Sequence, residues 1–258
     1  VNAPHPLPSP YEAPELYDRL FDRFDVDLAF WLAEARAARG PVLELACGTG
    51  RVLLRLLEAG IDADGVDASA PMLDRLRAKA AERRLVARVH VADMRDFTMP
   101  RRYARVICPF NAFAHAVSPA DQIATLRCCR EHLEAGGALV LHQTYPGVAY
   151  WSGEEGVPVL EVEAVDDATG QRLQLWDTRR RDRVGQLQRS EMEVRVLDRE
   201  GRTLASHRSA TTLRWVYRFE LEHLFRIAGF PRWEVRGGFE REPLERDDQQ
   251  MLAWAWKD

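Results

Sequence analysis

The chain has no apolar run of the about 20 residues that a membrane-spanning helix needs, so no membrane association is expected. Its opening stretch has neither the basic segment nor the apolar core of a secretory signal, and a cytoplasmic location follows as an expectation. Cysteine is scarce: only residues 47, 108, 128 and 129, with no CxxC pair and no histidine cluster at metal-ligand spacing beside them. That excludes a disulfide framework and predicts no metal site; the four read as buried thiols in a reducing compartment. Neither sign of charge dominates. With 36 basic and 40 acidic side chains the net charge is −4, too small to argue for a polyanionic partner, so nucleic acid is not expected. Glycine and proline, 16 and 14 of 258 residues, are too few for a disordered chain. Four prolines fall within the first ten residues, and residues 1–12 are expected to be a flexible lead-in.

What is present is a sizeable core in waiting, since 46% of residues are hydrophobic. Apolar residues recur at helical spacing over 13–38, with a break expected at Asp25 or Asp27, and Gly40-Pro41 stops the run. Strands are then predicted at 42–46, 63–66, 85–91, 103–110 and 138–143. Helices are predicted between them at 51–58, 70–83 and 120–133. That alternation means a parallel sheet covered on both faces. After residue 145 the pattern changes. Alternating runs at 159–165, 172–176, 186–197 and 204–218 predict an antiparallel meander of three or four strands, with turn signals at 166–170 and 198–201. A helix at 219–228 and two strands near 233–239 and 251–256 would complete the main sheet as an antiparallel hairpin.

The chemistry-bearing segment is Val42-Leu-Glu-Leu-Ala-Cys-Gly-Thr-Gly-Arg51, between the first strand and the next helix. Glycines let a backbone turn sharply and approach a ligand closely. A dinucleotide fingerprint would need a third glycine where Leu53 stands, which counts against a nicotinamide cofactor. Asp67 ends the second strand, where a carboxylate can accept from a ribose diol; Ser69 is the better helix cap beside it. Ala92-Asp93-Met94 follows the third strand and Phe110-Asn111 the fourth.

Together these residues resemble class I S-adenosylmethionine-dependent methyltransferases, with Ala46 at the position of the first glycine. The resemblance implies a Rossmann-like seven-stranded, mostly parallel sheet with an antiparallel last hairpin strand. It implies S-adenosylmethionine as cofactor and S-adenosylhomocysteine as product. The implied cofactor contacts are Glu44, Ala46, Gly48 and Gly50 in the loop, and Asp67 with Ala68 at the ribose. Met72, Asp93 and the backbone of Met94 would meet the adenine, and Phe110 the methionine part. Met72 as core packing and Asp93 as a turn carboxylate are the plain alternatives. Tyr17, in Leu16-Tyr-Asp-Arg-Leu-Phe21, and Arg51 are candidates for the cofactor carboxylate; an amphipathic-helix rim and a solvated helix start are the competing readings.

The meander is similar to the lid of glycine, sarcosine and sugar-amine N-methyltransferases. The expected organisation is a lead-in at 1–12, a cofactor domain at 13–145 and 219–258, and an inserted β lid at 146–218. A lid implies a small-molecule acceptor, with nitrogen or oxygen as nucleophile, and offers a surface for a homodimer. Residues 171–218 carry 12 Arg against 6 Asp or Glu, and their alternation with Leu, Val and Met assigns most of them to a solvated strand face. His115 and Tyr145 are the candidate catalytic groups, with His142 a second histidine that would point into the sheet. Tyr150, Trp151, Trp215 and Tyr217 are candidate acceptor walls. A nucleotide-dependent oxidoreductase, a cofactor-binding protein without methyl transfer, and a methyltransferase of RNA or protein remain the alternatives.

Overall fold

The computed structural model describes residues 7–166 and 169–258; the first six residues of the expected lead-in and residues 167–168 of the expected turn lie outside the described residues. The N-terminal helical run is split as expected into α1 (Pro14–Phe21) and α2 (Leu28–Ala38). Arg39 ends α2 in the left-handed conformation at φ 54°, just before Gly40-Pro41. Then come β1 (Val42–Leu45), α3 (Leu53–Glu58), β2 (Ala63–Asp67), α4 (Ala70–Glu82), β3 (Arg88–Val91), β4 (Tyr103–Cys108), α5 (Pro119–His132) and β5 (Leu133–Thr144). Ser69 and Ser118 cap α4 and α5, each accepting a backbone N–H of the first turn, and a proline follows in both helices.

A short α6 (Val148–Ser152) leads to β6 (Pro158–Val165), β7 (Arg172–Asp182), β8 (Leu187–Leu197) and β9 (Thr203–Arg214). The chain returns through α7 (Arg218–Ala228), β10 (Arg232–Gly237) and β11 (Gln250–Trp256). The main sheet has seven strands in the order β3-β2-β1-β4-β5-β11-β10, with only β11 antiparallel to its neighbours β5 and β10. The order reverses between β1 and β4, so the carboxyl ends of these strands flank a crevice where open α/β sheets bind ligands. β6 to β9 form a separate antiparallel sheet in chain order.

Side-chain alternation along the buried strands feeds two core layers. Leu43 and Leu45 of β1 pack with Phe113, Leu126 and Phe225 on one face. Val42, with Trp31, Leu53, Leu73 and Trp254, fills the other. All four cysteines are free and buried.

Three features depart from the sequence expectations. Residues 8–12 are not an unstructured lead-in: Ser9 and Glu12 form a capping box around a 3-10 turn at Pro10–Glu12, and proline suits a first helical turn. Strand β7 runs on to Asp182, because Thr178 to Asp182 pair residue by residue with Leu187 to Glu191 despite their charge. Residues Val148–Ser152 form a helix too short for its periodicity to register.

The turn after β1 is held by packing from below. Gly50 has φ +87°, and a Cβ there would stand 2.8 Å from Leu76 Cγ and 2.9 Å from Leu54 Cγ. Gly50→Ala should therefore cost about 1–3 kcal/mol, from left-handed strain and overpacking together. Urea denaturation of the variant measures this, and an unchanged midpoint would contradict the packing argument.

Candidate functional site

The crevice opens into a cavity of about 1130 Å³. One wall is the carboxyl ends of β1, β2, β3 and β4; the other is the inner face of the four-stranded sheet, with α1 and the 3-10 turn at Pro10–Glu12 closing the side. Its size exceeds the ~300–1000 Å³ of a typical single-ligand pocket, which leaves room for two ligands side by side.

Of the residues singled out in the sequence, Tyr17, Ala46, Gly48, Asp67, Ala68, Met72, Asp93, Met94, Phe110 and His115 all line this cavity. Asp67 accepts from Gly48 N on Oδ2 and from Ser69 N on Oδ1, each at 2.8 Å. Burial raises its pKa against the pull of those two bonds. Each carboxylate oxygen keeps a second lone pair for a ligand hydroxyl. Ser69, not Asp67, caps α4, with Met72 N 3.4 Å from its Oγ. Asp93 is half-buried and ion-paired with Arg95 at 2.6 Å, which lowers its pKa. A Cβ on Gly48 would meet only Met72 Cε at 3.5 Å and its own loop at 4.0 Å. That glycine is needed for its φ of +54° rather than for packing. Ala46, Phe110 and Asn111 also have positive φ, at 51°, 55° and 60°, so backbone strain is gathered on this wall.

Glu44 and Gly50 lie behind the wall. Glu44 is buried on β1, its Oε2 has no hydrogen-bond partner, and burial pushes its pKa well up. Arg51 is corrected. It does not line the cavity but grips Asp27 with bonds of 2.5 and 2.8 Å, donates to Phe24 O, and lies over the Phe24 and Phe110 rings. Asp27 is fully buried and also holds Trp31 Nε1, so its charge demands a committed partner. Tyr17 packs between Tyr11 and Phe21, and desolvation pushes its hydroxyl up to about 12.

Elsewhere around the cavity the structure separates the catalytic candidates. His115 Nε2 lies 2.8 Å from the Tyr11 hydroxyl, and burial lowers the imidazole to about 4, so it is neutral near pH 7. Tyr145 is corrected: it follows the end of β5, packs edge-on to Tyr217 at 5.7 Å and is not part of the cavity wall. His142 is used up inside the sheet, with Nδ1 accepting from Phe110 N and Nε2 2.8 Å from Gln250 Oε1. Tyr150 and Trp215 line the cavity; Trp151 and Tyr217 do not.

Sequence reasoning missed the polar inner face of the second sheet. Leu173, Leu175, Asp177 and Arg179 alternate onto one side of β7, and Gln188, Ser190, Met192 and Val194 onto one side of β8. Asp177 is 5% exposed and accepts from Arg179 Nε at 2.7 Å and Ser190 Oγ at 3.1 Å. Gln188 bridges Ser190 Oγ and the Tyr150 hydroxyl. The available signal was an acid placed in phase with Leu173 and Leu175 on an otherwise apolar strand face. Tyr11 belongs to the N-terminal stretch that carries the resemblance, but nothing local marks it for a contact with His115, 104 residues away.

Residues 42–137 match the family described as methyltransferase domain. The cypemycin N-terminal methyltransferase of a Streptomyces species is 31% identical over 95% of this chain and 97% of its own length. The dTDP-3-amino-3,6-dideoxy-alpha-D-glucopyranose N,N-dimethyltransferase of Streptomyces fradiae is 27% identical over 88% and 87%. Among solved structures, the CcbJ methyltransferase of Streptomyces caelestis is 26% identical and superposes with a TM-score of 0.77 over 96% of this chain and 97% of that one. With the glycine turn, Asp67 and Asp93 gathered at the carboxyl ends of a seven-stranded sheet and a full-length relative of this similarity, the chain belongs to the S-adenosylmethionine-dependent methyltransferases.

Proposed function

We propose that the chain methylates a nitrogen of a small molecule, and that residues 146–218 roof the acceptor while the carboxyl ends of the main sheet hold the cofactor. The carrying observation is that both surfaces line one cavity. When bound, S-adenosylmethionine supplies an electrophilic methyl group on a sulfonium and becomes S-adenosylhomocysteine. The wall residues fit that group. Asp67 has lone pairs left for a ribose diol, and Asp93 with the Met94 backbone suits an adenine edge beside the buried Met72. Ala46, Gly48 and Gly50 give the loop its turn, and Ala68 and Phe110 continue the wall. Tyr17, held protonated, donates toward a carboxylate, and Glu44 supports the loop from behind the wall. Arg51 acts from behind, fixing Phe110 through the stack it shares with Phe24.

Displacement at a sulfonium carbon needs alignment and exclusion of water rather than acid catalysis of the leaving group. The chain supplies both through the roof and through α1, whose Leu16, Leu20 and Phe21 pack on Leu173, Leu175 and Val194 of the roof. The nucleophilic nitrogen must present a lone pair. His115 is kept neutral by burial; with its Nε2–H donating to the Tyr11 hydroxyl, Nδ1 is left to accept a hydrogen bond from that nitrogen and orient it, and at about 4 its pKa is too low to store the proton. The two curated relatives named above are, by name, an N-terminal methyltransferase and an amino-sugar N,N-dimethyltransferase, which supports nitrogen over oxygen.

Calorimetry should detect S-adenosylhomocysteine binding, and Asp67→Ala should weaken it at least tenfold; absence of binding by the wild type would sink the reading. Release of S-adenosylhomocysteine over a panel of amines should fall at least tenfold in kcat in His115→Phe with cofactor affinity unchanged. Equal rates would remove His115 from the mechanism. The same variant tests the proton balance. His115 has a folded pKa of about 4, below its ordinary 6.5, so between those values the unfolded chain binds a proton that the folded chain refuses. The stability tied to its neutrality is complete above pH 6.5 and is lost as pH falls toward 4. His115→Phe should therefore lose stability less steeply than wild type in that window, by up to about 1.4 kcal/mol per pH unit, and parallel curves would refute the assignment.

A further inference from the structure

The charges lining the cavity are unbalanced. Five carboxylates face it, from Glu12, Asp67, Asp93, Glu161 and Asp177, against the guanidiniums of Arg95 and Arg179 alone among the described residues. Both arginines are committed. Arg95 spans Asp93 and Asp121, with bonds of 2.6 to 2.9 Å. Arg179 spans Asp177 at 2.7 Å and Glu161 at 2.8 Å. His115 is neutral near pH 7, and His207, whose Nε2 is buried without a partner, is the other imidazole on the lining. An acceptor carrying phosphate or carboxylate would thus find no uncommitted guanidinium or lysine, the groups such anions are usually held by.

One carboxylate is only half used. Asp177 Oδ2 takes Arg179 Nε and Ser190 Oγ, which fixes the group rigidly on the roof. Oδ1 is buried with no hydrogen-bond partner. A buried charged oxygen left unpaired is costly, and a donor on a ligand removes that cost. The cost is largest for a charge, so the donor that matches best is itself charged.

We propose that Asp177 selects the acceptor: the roof takes a positively charged amine that bears neither phosphate nor carboxylate, and Asp177 Oδ1 receives one of its N–H donors; the ammonium gives a proton to solvent before transfer, and its lone pair then bonds to the methyl carbon as the carbon–sulfur bond breaks. This rests on the reading of the cavity as a methyltransferase site, and it separates the acceptor from nucleotide-linked sugars and free amino acids. The arrangement is specific to the second sheet, because Asp177, Arg179 and Ser190 lie on adjacent strands paired Arg179 to Ser190 and Asp177 to Met192.

The test uses the full chain saturated with S-adenosylhomocysteine, whose binding is measured first, so that failure of the cofactor reading is seen separately. Four probes are then titrated by calorimetry. Two are cations without an anionic group, methyl 3-amino-3,6-dideoxyglucoside and alanine amide. Two are anion-bearing, the dTDP ester of the same amino sugar and glycine. We expect the cationic set to bind at least tenfold tighter than its anionic counterparts. We expect Asp177→Asn to erase that difference while S-adenosylhomocysteine affinity, the check on folding, stays within twofold. An anionic probe bound as tightly as its cationic counterpart, no preference between the two sets, or a preference that survives in Asp177→Asn would overturn the proposal.

Discussion

The hydrogen bond from Gly48 N to Asp67 Oδ2, at 2.8 Å, is the contact on which the rest of the site depends. Parallel strands give up their ladder at their carboxyl ends, and the loops beyond them would splay without a tie. Here one carboxylate bridges the loop after β1 and the first residues of α4, because its other oxygen takes Ser69 N. The loop can reach Asp67 only by turning through positive φ at Ala46, Gly48 and Gly50. At Ala46 that conformation costs about 1–2 kcal/mol, which a glycine would not incur. The strain persists because Gly50 is wedged on Leu54 and Leu76 below.

The second constraint is α1, which belongs to both halves of the cavity. On one side Asp18 pairs with Arg75 and with the buried Lys79 of α4, at 2.8 and 2.9 Å. On the other side its apolar face fills the small core of the four-stranded sheet, and Arg19 reaches Gln171 and Asp166 beyond β6. A helix of 8 residues is too short to be stable alone, so tertiary contacts on both flanks define it. The position of the second sheet over the main sheet is therefore coupled to α4 and the crevice through one helix, and Tyr11 and Tyr17 are carried at that joint.

Much of the fold was legible because periodicity and punctuation agree along the main sheet. The strand and helix order from 42 to 143, the break near Asp27 and the antiparallel last hairpin all follow from it. That the residues singled out for the cofactor gather on one wall of the cavity was legible for a related reason: they sit at strand ends that the pattern already fixes. What stayed hidden depends on distance in sequence. Arg51 looked available until Asp27, 24 residues earlier, claimed it. Tyr145 looked catalytic because it follows β5, and only the packing on Tyr217 shows it leaving the cavity. Of the arginines assigned to a solvated face, Arg179 and Arg214 turn inward, Arg214 to Glu220 and Gln122. Period-2 alternation tells which residues share a face, but not which face meets the cavity.

That asymmetry explains how one architecture can serve different acceptors. The wall at the carboxyl ends of β1 to β4 is built where strand geometry leaves little choice, and departures there cost strain or break the tie at Asp67. The roof is an antiparallel sheet whose inner positions alternate freely between apolar and polar side chains, and changing one leaves the ladder intact. Its small core of Leu173, Leu175 and Val194 is enough to seat it on α1, so the rest of the face is open to variation. Charge on that face is nonetheless not cheap, since each buried acid must be paired or met by a ligand. Asp177 meets half of that demand with Arg179 and Ser190 and leaves half unmet. Unmet demand of this kind is a feature that stability alone would remove; among the described residues that line the cavity, His207 Nε2 and Trp215 Nε1 share it, and Asp177 is the carboxylate of the set, where a charged donor would be read.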